Sequence, residues 1–590
     1  MKILGISAFY HDAAAALVID GVPVAAVQEE RLSRRKNDAS FPLAAIEWCL
    51  ERAGLEPDDL DAAVFYEQPA VKFDRVLMSS LRGFPASWRS FPKAMKNMLG
   101  EKLWVRGVIA SQLGIPTRKV LCIDHHLSHA AASFLTAPCE EAAILTADGV
   151  GEWATMTVGR GSKSEGGPAR IELLRELRFP HSLGLFYSAF TAFLGFAVNE
   201  GEYKVMGLAS YGAPTYLDQV RQVIPRTPDG AFELDARYFD FLGRAETSFS
   251  PQFTRLFGPP RNPNLPIDLS SDEGRRFADI AASAQRVLED ILVDVARALQ
   301  RETGLPALCL GGGVALNGVA NARLLAETGF ERIYVPPAPG DAGCALGAAL
   351  AADRIPFGRP HRAVPDHPFW GPEVDTIALA RLAGEDGFPI ESLADGPLVE
   401  RIASALAGGE IVGWMQGALE FGPRALGHRS ILAAPHEAGM RDRLNRAIKF
   451  REEFRPFAPL VRAEDADRYF VLRPGGGERL GRFMSGVFPV RPEWRDRLAA
   501  VTHVDGTARV QVLDPAMEPR LARLLESYGR LTGIPVLLNT SFNLAGEPIV
   551  NTAAEGYSTF RRCGIDIVVA GNVMVRRRQS HELALEEAAE

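Results

Sequence analysis

The chain has 590 residues, of which 47% are hydrophobic and 23% charged, and its net charge is −8. That length calls for at least two cores, and the acidic balance argues against a protein built for nonspecific nucleic-acid binding. No run approaches the roughly 20 apolar residues of a membrane span, the opening MKILGISAF has none of the successive segments of an export signal, and six scattered cysteines without a CxxC fit a reducing cytoplasm and no structural zinc site.

In chain order, KILGIS and AAAALVID read as two strands joined by the polar bend FYHD, which carries His11. The same pattern returns about 140 residues later, where ILTAD and WATMTVG flank the glycine-bearing bend GVGE. Two such strand–bend–strand units predict a duplicated domain with both bends facing one cleft. Between them lies IDHHLSHAAASF (123–134), with helix formers after His126 and Asp124 as a possible N-cap. His125 and His129 are four apart and share a helix face, which is how a helix offers two imidazoles to a metal, whereas His126 points elsewhere. A histidine-rich helix start on a solvated face is the competing reading.

SLGLFYSAFTAFLGF (182–196) reads as an apolar helix with core aromatics, and the polar NEGEYK turn after it reaches toward a ligand. In CLGGGVALN (309–317), a strand meets three glycines and then a helix. Such a turn either brings backbone N–H groups to an anion or is simply tight. PPAPGDAGCALGAALAA (336–352) places Asp341 at the start of a helix so poor in side-chain bulk that it must pack closely on a sheet or a ligand; Asp341 is a ligand candidate or an N-cap. With Asp148 at the end of ILTAD, the two histidines and these carboxylates suit Fe2+, Mn2+ or Zn2+. His11, in the opposite bend, suits a neutral imidazole that takes a proton from an attacking hydroxyl, or a surface-loop histidine.

Five prolines in FGRPHRAVPDHPFWGP (357–372) mark a linker, with domains at 1–356 and 373–590. Beyond it, Arg424, Arg429, Lys449, Arg451, Arg455 and Arg509 lie among apolar residues and prolines. LNTSFN adds Asn539, Ser541 and Asn543, and together they suggest a pocket for a small phosphorylated or carboxylated ligand. Ion pairing of the arginines with Glu420, Glu452 and Glu453 is the alternative. RPGGGERLGRF (473–483) reads as loop, and the tail RQSHELALEEAAE as a short acidic helix or disorder.

KILGISAFYHDAAAALV, DHHLSHAAASF, DGVGEW, GEYKVMGLASYG, GGGVALN, PGDAG, FGPRALGHRSIL, KFREEFRPFAP and LNTSFN, in that order over nearly the whole chain, resemble the O-carbamoyltransferases of nodulation-factor and antibiotic pathways. The resemblance implies an α/β protein with a duplicated actin/sugar-kinase-like N-terminal domain, similar to the threonylcarbamoyl-transferring tRNA-modification protein, and an α/β YrdC-like C-terminal domain. It implies that carbamoyl phosphate and ATP with Mg2+ yield carbamoyl adenylate, whose carbamoyl group passes to a hydroxyl-bearing small-molecule acceptor. It places an iron-type metal on His125, His129, Asp148 and Asp341, nucleotide at Gly312, Gly313, Asn317 and Glu202, and the acceptor base at His11. Carbamoyl phosphate falls to Lys449, Arg455, Arg509 and Ser541, with Arg424 and Asn543 beside them. The alternatives are carbamoyl or threonylcarbamoyl transfer to tRNA or a maturation partner, and a sugar-kinase-like phosphotransferase. Paired CxxC fingers and a basic face, which the macromolecular enzymes carry, are absent, and a kinase would leave the metal set and second domain unexplained. HLSHA lacks the glutamate of HExxH, so a metalloprotease is disfavoured.

Overall fold

A computed structural model describes residues 1–227, 231–241, 248–437, 439–449, 452 and 454–577. The chain forms two compact units. Unit 1 comprises Met1–Glu30, Asn37–Asp366 and Arg473–Leu480; unit 2 comprises Arg31–Lys36, His367–Leu472 and the chain from Gly481 onward.

Unit 1 contains the same sheet twice. The first is built from β1 (Lys2–Ser7), β2 (Ala14–Ile19), β3 (Val22–Gln28), β4 (Ala62–Phe65) and β5 (Val120–Cys122), in the order β3-β2-β1-β4-β5. The second uses β6 (Glu141–Ala147), β7 (Ala154–Lys163), β8 (Ala169–Arg178), β9 (Ala307–Gly311) and β10 (Arg332–Tyr334), in the order β10-β9-β6-β7-β8. In each, the first three strands form an antiparallel meander and the last two add in parallel on the other side of the first. The expected duplication is therefore present strand for strand, as the repeat of an actin/sugar-kinase-like fold.

The helices that follow the two fifth strands are exchanged. α1 (His125–Phe134) leaves the first sheet and packs on β6, β7 and β9 of the second. The helix Asp341–Arg354 leaves the second sheet and packs on β1, β2 and β4 of the first, and the two helices pack on each other. All its residues are buried. The absence of bulk that the sequence displays is what this position requires: a Cβ at Gly5 would lie 1.8 Å from the Ala345 carbonyl oxygen, and one at Gly347 would lie 2.0 Å from that of Ser128.

Between β8 and β9, α2 (Leu183–Phe193) buries Phe190 and Phe193 against Phe253 and Phe257, with Phe186 against Phe190, so its aromatics are core, as read. α3 (Glu202–Ala209) and the long α4 (Asp272–Thr303) follow, then α5 (Gly318–Glu327); Asp341–Arg354 is α6. Among the described residues no helix is long and apolar enough to cross a membrane.

Unit 2 holds an eight-stranded mixed sheet of β11 (Ile390–Ser392), β12 (Val412–Met415), β13 (Arg429–Ala433), β14 (Ala458–Arg462), β15 (Gln511–Leu513), β16 (Val536–Ser541), β17 (Ile567–Ala570) and β18 (Val573–Arg576), in the order β11-β18-β17-β12-β13-β16-β14-β15. The apolar stripes of α7 (Asp395–Ala407) and α8 (Pro519–Thr532) pack on one face, with Leu398, Ile402, Leu521 and Tyr528 against Trp414, Leu432 and Leu537. RPGGGERLGRF, expected as loop, contains a short helix at Gly477–Arg482. Its Gly476 lies where a Cβ would meet Leu325 and the Glu331 carbonyl oxygen and so serves close packing, whereas Gly475, with open space around it, takes a left-handed φ of 77°. Arg451, Glu453 and the tail from 578 lie outside the described residues.

Candidate functional site

The exchange of helices brings the start of α1, the start of α6 and the end of β6 together. Nε2 of His125 and Nε2 of His129 are 3.1 Å apart, as helical spacing requires of two rings turned the same way. Asp148, just past β6, places Oδ2 at 3.1 Å from His125 Nε2 and 3.6 Å from His129 Nε2. Asp341 places Oδ1 at 3.8 and 3.5 Å from the same atoms. The four residues predicted as ligands are thus assembled around one point.

Three local expectations are corrected. α1 does not begin on a solvated face, since His125, His126 and His129 are all buried. Asp124 occupies the N-cap position without a capping bond from its side chain. Glu152, from the second bend, takes over: its carboxylate accepts the His125 N–H at 3.0 Å and the Gln68 N–H at 2.7 Å. Asp341 is the first residue of α6 and caps nothing, for Gly340 is the N-cap and makes no side-chain bond. His126 turns away and is hydrogen-bonded to Thr146 at 2.6 Å; burial, then the neighbouring imidazoles, push it down to about 3.

The donors fit a divalent cation. Asp341 Oδ2 is buried with no hydrogen-bond partner, a cost that a cation removes. Burial would raise the Asp148 carboxyl, yet its hydrogen bonds to His125 and His129 hold it well below the usual range. Burial would lower His129, yet Cys344 and the two aspartates hold it well above its usual value. Two buried negative charges that draw protons onto nearby imidazoles would equally draw a metal ion.

Cys344 was missed. It stands three residues after Asp341, hence on the same helix face, and its Sγ lies 3.2 Å from His129 Nδ1. A proton on Nδ1 shared with this sulfur would leave the Nε2 lone pair for a cation at the centre, the orienting role that outer partners of metal-bound histidines play. Burial pushes the thiol up to about 12. His125, His129, Asp341 and Cys344 all offer a ligand atom within 4.8 Å of one another.

His11 stands at the edge, with Nε2 3.9 Å from Asp341 Oδ2 and Nδ1 3.1 Å from Asp12 Oδ2. Burial opposes its charge, but Asp12 and then Asp341 raise it to about 9. The glycine turn is tied to the same point. Gly313 N–H donates to Asp148 Oδ1 at 3.0 Å, and Gly312, at φ 91°, leaves no room for a Cβ, which would lie 2.1 Å from the Ala147 carbonyl oxygen. Asn317 caps α5 through the Ala320 N–H and exchanges two hydrogen bonds with Gln285. Glu202 accepts from Ser188 Oγ and from Asn199 N–H, each at 3.0 Å.

In unit 2 the sequence-predicted cluster divides. Lys449 Nζ reaches Asn543 Oδ1 at 2.9 Å, Asn543 O at 3.0 Å and Ser541 Oγ at 3.4 Å, and Ser541 donates to Asn543 at 2.7 Å. Arg429 goes the other way: fully buried, it donates to the carbonyls of Asn551, Gln416, Gly417, His428 and Pro372. Glu420 accepts the N–H groups of Leu426, His428 and Arg429 and so fixes this loop. Asn539 is likewise committed, donating to Gln511 and to the Ala425 carbonyl. Arg455 pairs with Glu452 at 3.7 Å, and Arg424 and Arg509 are half-buried.

A duplicated α/β unit carrying a buried histidine–carboxylate cradle, and a second α/β unit carrying a lysine–serine–asparagine cluster, define a two-part enzyme. The chain belongs to the carbamoyltransferase family: residues 2–350 match the carbamoyltransferase N-terminus and 403–577 the carbamoyltransferase C-terminus. It is 43% identical to an uncharacterised protein of Synechocystis over 98% of this chain and 96% of that one. It is 37% identical to nodulation protein NolNO of Sinorhizobium fredii over 97% of this chain and 79% of that one. Among solved structures, HypF of T. kodakarensis aligns with 60% of this chain and 48% of its own, at 17% identity and a TM-score of 0.29.

Proposed function

We propose that this carbamoyltransferase is an ATP-dependent O-carbamoyltransferase acting in two steps. Unit 2 makes carbamoyl adenylate from carbamoyl phosphate and ATP, releasing phosphate and pyrophosphate. Unit 1 passes the carbamoyl group to a hydroxyl of a small-molecule acceptor and releases AMP. The observation that carries this reading is the presence of both family halves in one chain, each with its own polar cluster.

Carbamoyl phosphate is anionic and water-sensitive, so its site needs cationic donors held in place before it arrives. Lys449 supplies charge from a buried position, Ser541 and Asn543 supply short-range polar contacts, and Arg424, Arg455 and Arg509 add guanidinium groups for phosphate oxygens. In unit 1, His125, His129, Asp148 and Asp341 would hold Fe2+, or Mn2+ or Zn2+, and such an ion supplies Lewis acidity toward phosphate and acyl oxygens. Gly312 and Gly313 let nucleotide approach the backbone, with Asn317 and Glu202 on flanking elements. His11 takes the proton of the acceptor hydroxyl. Neutralising Asp341 and Asp148 with a cation removes two of the charges that raise His11, which returns the ring toward the neutral form that a base requires.

The test is pyrophosphate release from ATP with Mg2+, with and without carbamoyl phosphate, and no acceptor. Wild type should release pyrophosphate only when carbamoyl phosphate is present. Arg455→Ala and Lys449→Met should each lower the rate on the order of 100-fold, the usual effect of deleting one charge-stabilising donor. Release that ignores carbamoyl phosphate would overturn the first step.

A further inference from the structure

Just before β15, the chain of unit 2 makes a closed turn. The His503 N–H donates to the Thr507 carbonyl at 2.7 Å, and the Gly506 N–H donates to the His503 carbonyl at 2.9 Å. Thr507 and Ala508 then pair with Pro489 and Phe488, and the chain runs on through Arg509 into β15. Side chains alternate along this stretch. Ala508 and Val510 are fully buried on one side, which leaves Thr507, Arg509 and Gln511 together on the other. Gln511 Oε1 accepts from Asn539 Nδ2 at 2.6 Å, so this is the face on which β16 carries Asn539 and, two residues on, Ser541. Asn539 pairs with Ala458 and Gln511 with Leu460, so the end of β16 and the start of β15 lie at one end of the sheet, with β14 between them.

The His503 ring is anchored to that face. Thr507 Oγ1 donates to Asp505 Oδ1 at 2.7 Å, and His503 Nδ1 lies 3.1 Å from the same hydroxyl oxygen. A hydroxyl has one proton, and here the carboxylate takes it, so Thr507 accepts from the ring. Nδ1 therefore carries the ring proton, and Nε2 carries a lone pair. Burial pushes the ring down to about 4, with Asp505 opposing and Arg509 assisting, so it is neutral at pH 7. Nε2 is itself buried without a hydrogen-bond partner. A buried acceptor in that state costs free energy that a ligand N–H would recover.

We propose that His503 is a specificity-determining residue of unit 2, whose Nε2 accepts a hydrogen bond from the NH2 group of carbamoyl phosphate and so selects it over other acyl phosphates. The proposal rests on the reading of unit 2 as the carbamoyl phosphate site. The oxygens of this substrate accept hydrogen bonds and suit Lys449, Arg509 and Ser541. Its amide nitrogen is its one donor, and it needs an acceptor. Lysine and arginine side chains only donate, and Asn543 Oδ1 already receives Lys449 and Ser541. His503 Nε2 supplies the acceptor. Acetyl phosphate has nearly the same size and charge, but it turns a methyl group toward the lone pair.

The test is calorimetric titration of freshly dissolved carbamoyl phosphate and, separately, acetyl phosphate into the full chain, without ATP or acceptor. Wild type should bind carbamoyl phosphate on the order of 10- to 100-fold more tightly than acetyl phosphate, because a site built for an N–H rejects the analogue that lacks it. His503→Ala should remove this preference by weakening carbamoyl phosphate alone, and its retained acetyl phosphate binding shows that the site is intact. Thr507→Val takes away the acceptor that fixes the ring proton on Nδ1. It should narrow the preference by a smaller factor, and it carries the test where the alanine variant does not fold. Equal binding of the two anions by wild type, or a preference that neither variant changes, would overturn the proposal. Failure of wild type to bind either anion would overturn the underlying reading of unit 2, and this inference with it.

Discussion

The histidine–carboxylate cradle of unit 1 and the cation cluster of unit 2 are built in opposite ways. In the cradle, two exchanged helices and a strand end bring His125, His129, Asp148 and Asp341 to face one another, and the two Nε2 atoms lie within 4 Å of Asp341 Oδ1. In unit 2, the most deeply buried cation, Arg429, is spent entirely on backbone carbonyls, while Lys449 gathers the side chains of Ser541 and Asn543 as well. A buried charge does not by itself mark a site. What distinguishes the two cations is the kind of partner: Arg429 meets only backbone carbonyls, whereas Lys449 also meets the polar side chains of Ser541 and Asn543, groups that can exchange partners with a ligand.

The largest effect should come from Arg429→Met. It leaves five carbonyl contacts unmade and Glu420 without its nearby positive charge, at a cost of about 3–5 kcal/mol. Urea unfolding followed through Trp414, on the adjacent β12, reads it. Arg455→Ala, which removes a half-buried pair with Glu452, should change stability by less than about 1 kcal/mol. Equal costs would erase the division between structural and ligand-directed arginines.

Next comes the metal-linked stability of the cradle. Added Fe2+, Mn2+ or Zn2+ at about 100 times its Kd should stabilise the wild type by about 2.7 kcal/mol in thermal or chemical unfolding. The gain should vanish in His129→Ala and survive in His126→Gln, whose ring faces Thr146 instead. A cradle that depends on close helix packing should also respond to Gly5→Ala, by about 1–3 kcal/mol, because the Ala345 carbonyl oxygen occupies the space a methyl needs. Gly340→Ala, at a conformation any residue adopts and with open space around it, should stay within about 0.5 kcal/mol.

The legible parts of this protein were those where a periodicity or a spacing carries the geometry. The two strand–bend–strand units announced the duplication, i,i+4 spacing put His125 and His129 on one face, and the small residues of 341–352 required a close neighbour. What the sequence hid depends on contacts between distant segments. Nothing in FGPRALGHR distinguishes Arg429 from Arg424, since the carbonyls that claim Arg429 come from residues as far off as Pro372 and Asn551. The resemblance puts Asn317 and Glu202 beside nucleotide, and their bonds to Gln285 and Ser188 appear only once α2, α3 and α4 are packed. Cys344 is the exception, for its i,i+3 spacing from Asp341 by itself puts it on the ligand-bearing face of the helix.

The smallest effect tests which acid holds the start of α1. The sequence favours Asp124, the residue that immediately precedes the helix, whereas the fold gives the task to Glu152, 27 residues beyond the His125 N–H it binds. Glu152→Gln keeps the volume and one acceptor but turns the other into a donor that faces N–H groups, and it removes a negative charge from a helix N-terminus. The expected cost is about 1 kcal/mol, with metal affinity lowered up to about 10-fold because His125 is the residue whose backbone is held. Asp124→Ala should cost less than about 0.5 kcal/mol, its side chain being exposed and making no capping bond. Chemical unfolding of the two variants side by side, with metal titrations of each, separates the cases. The reverse ranking would mean that local sequence, not the second hairpin bend, orients the histidine helix, and the link between the duplicated halves at this point would be lost.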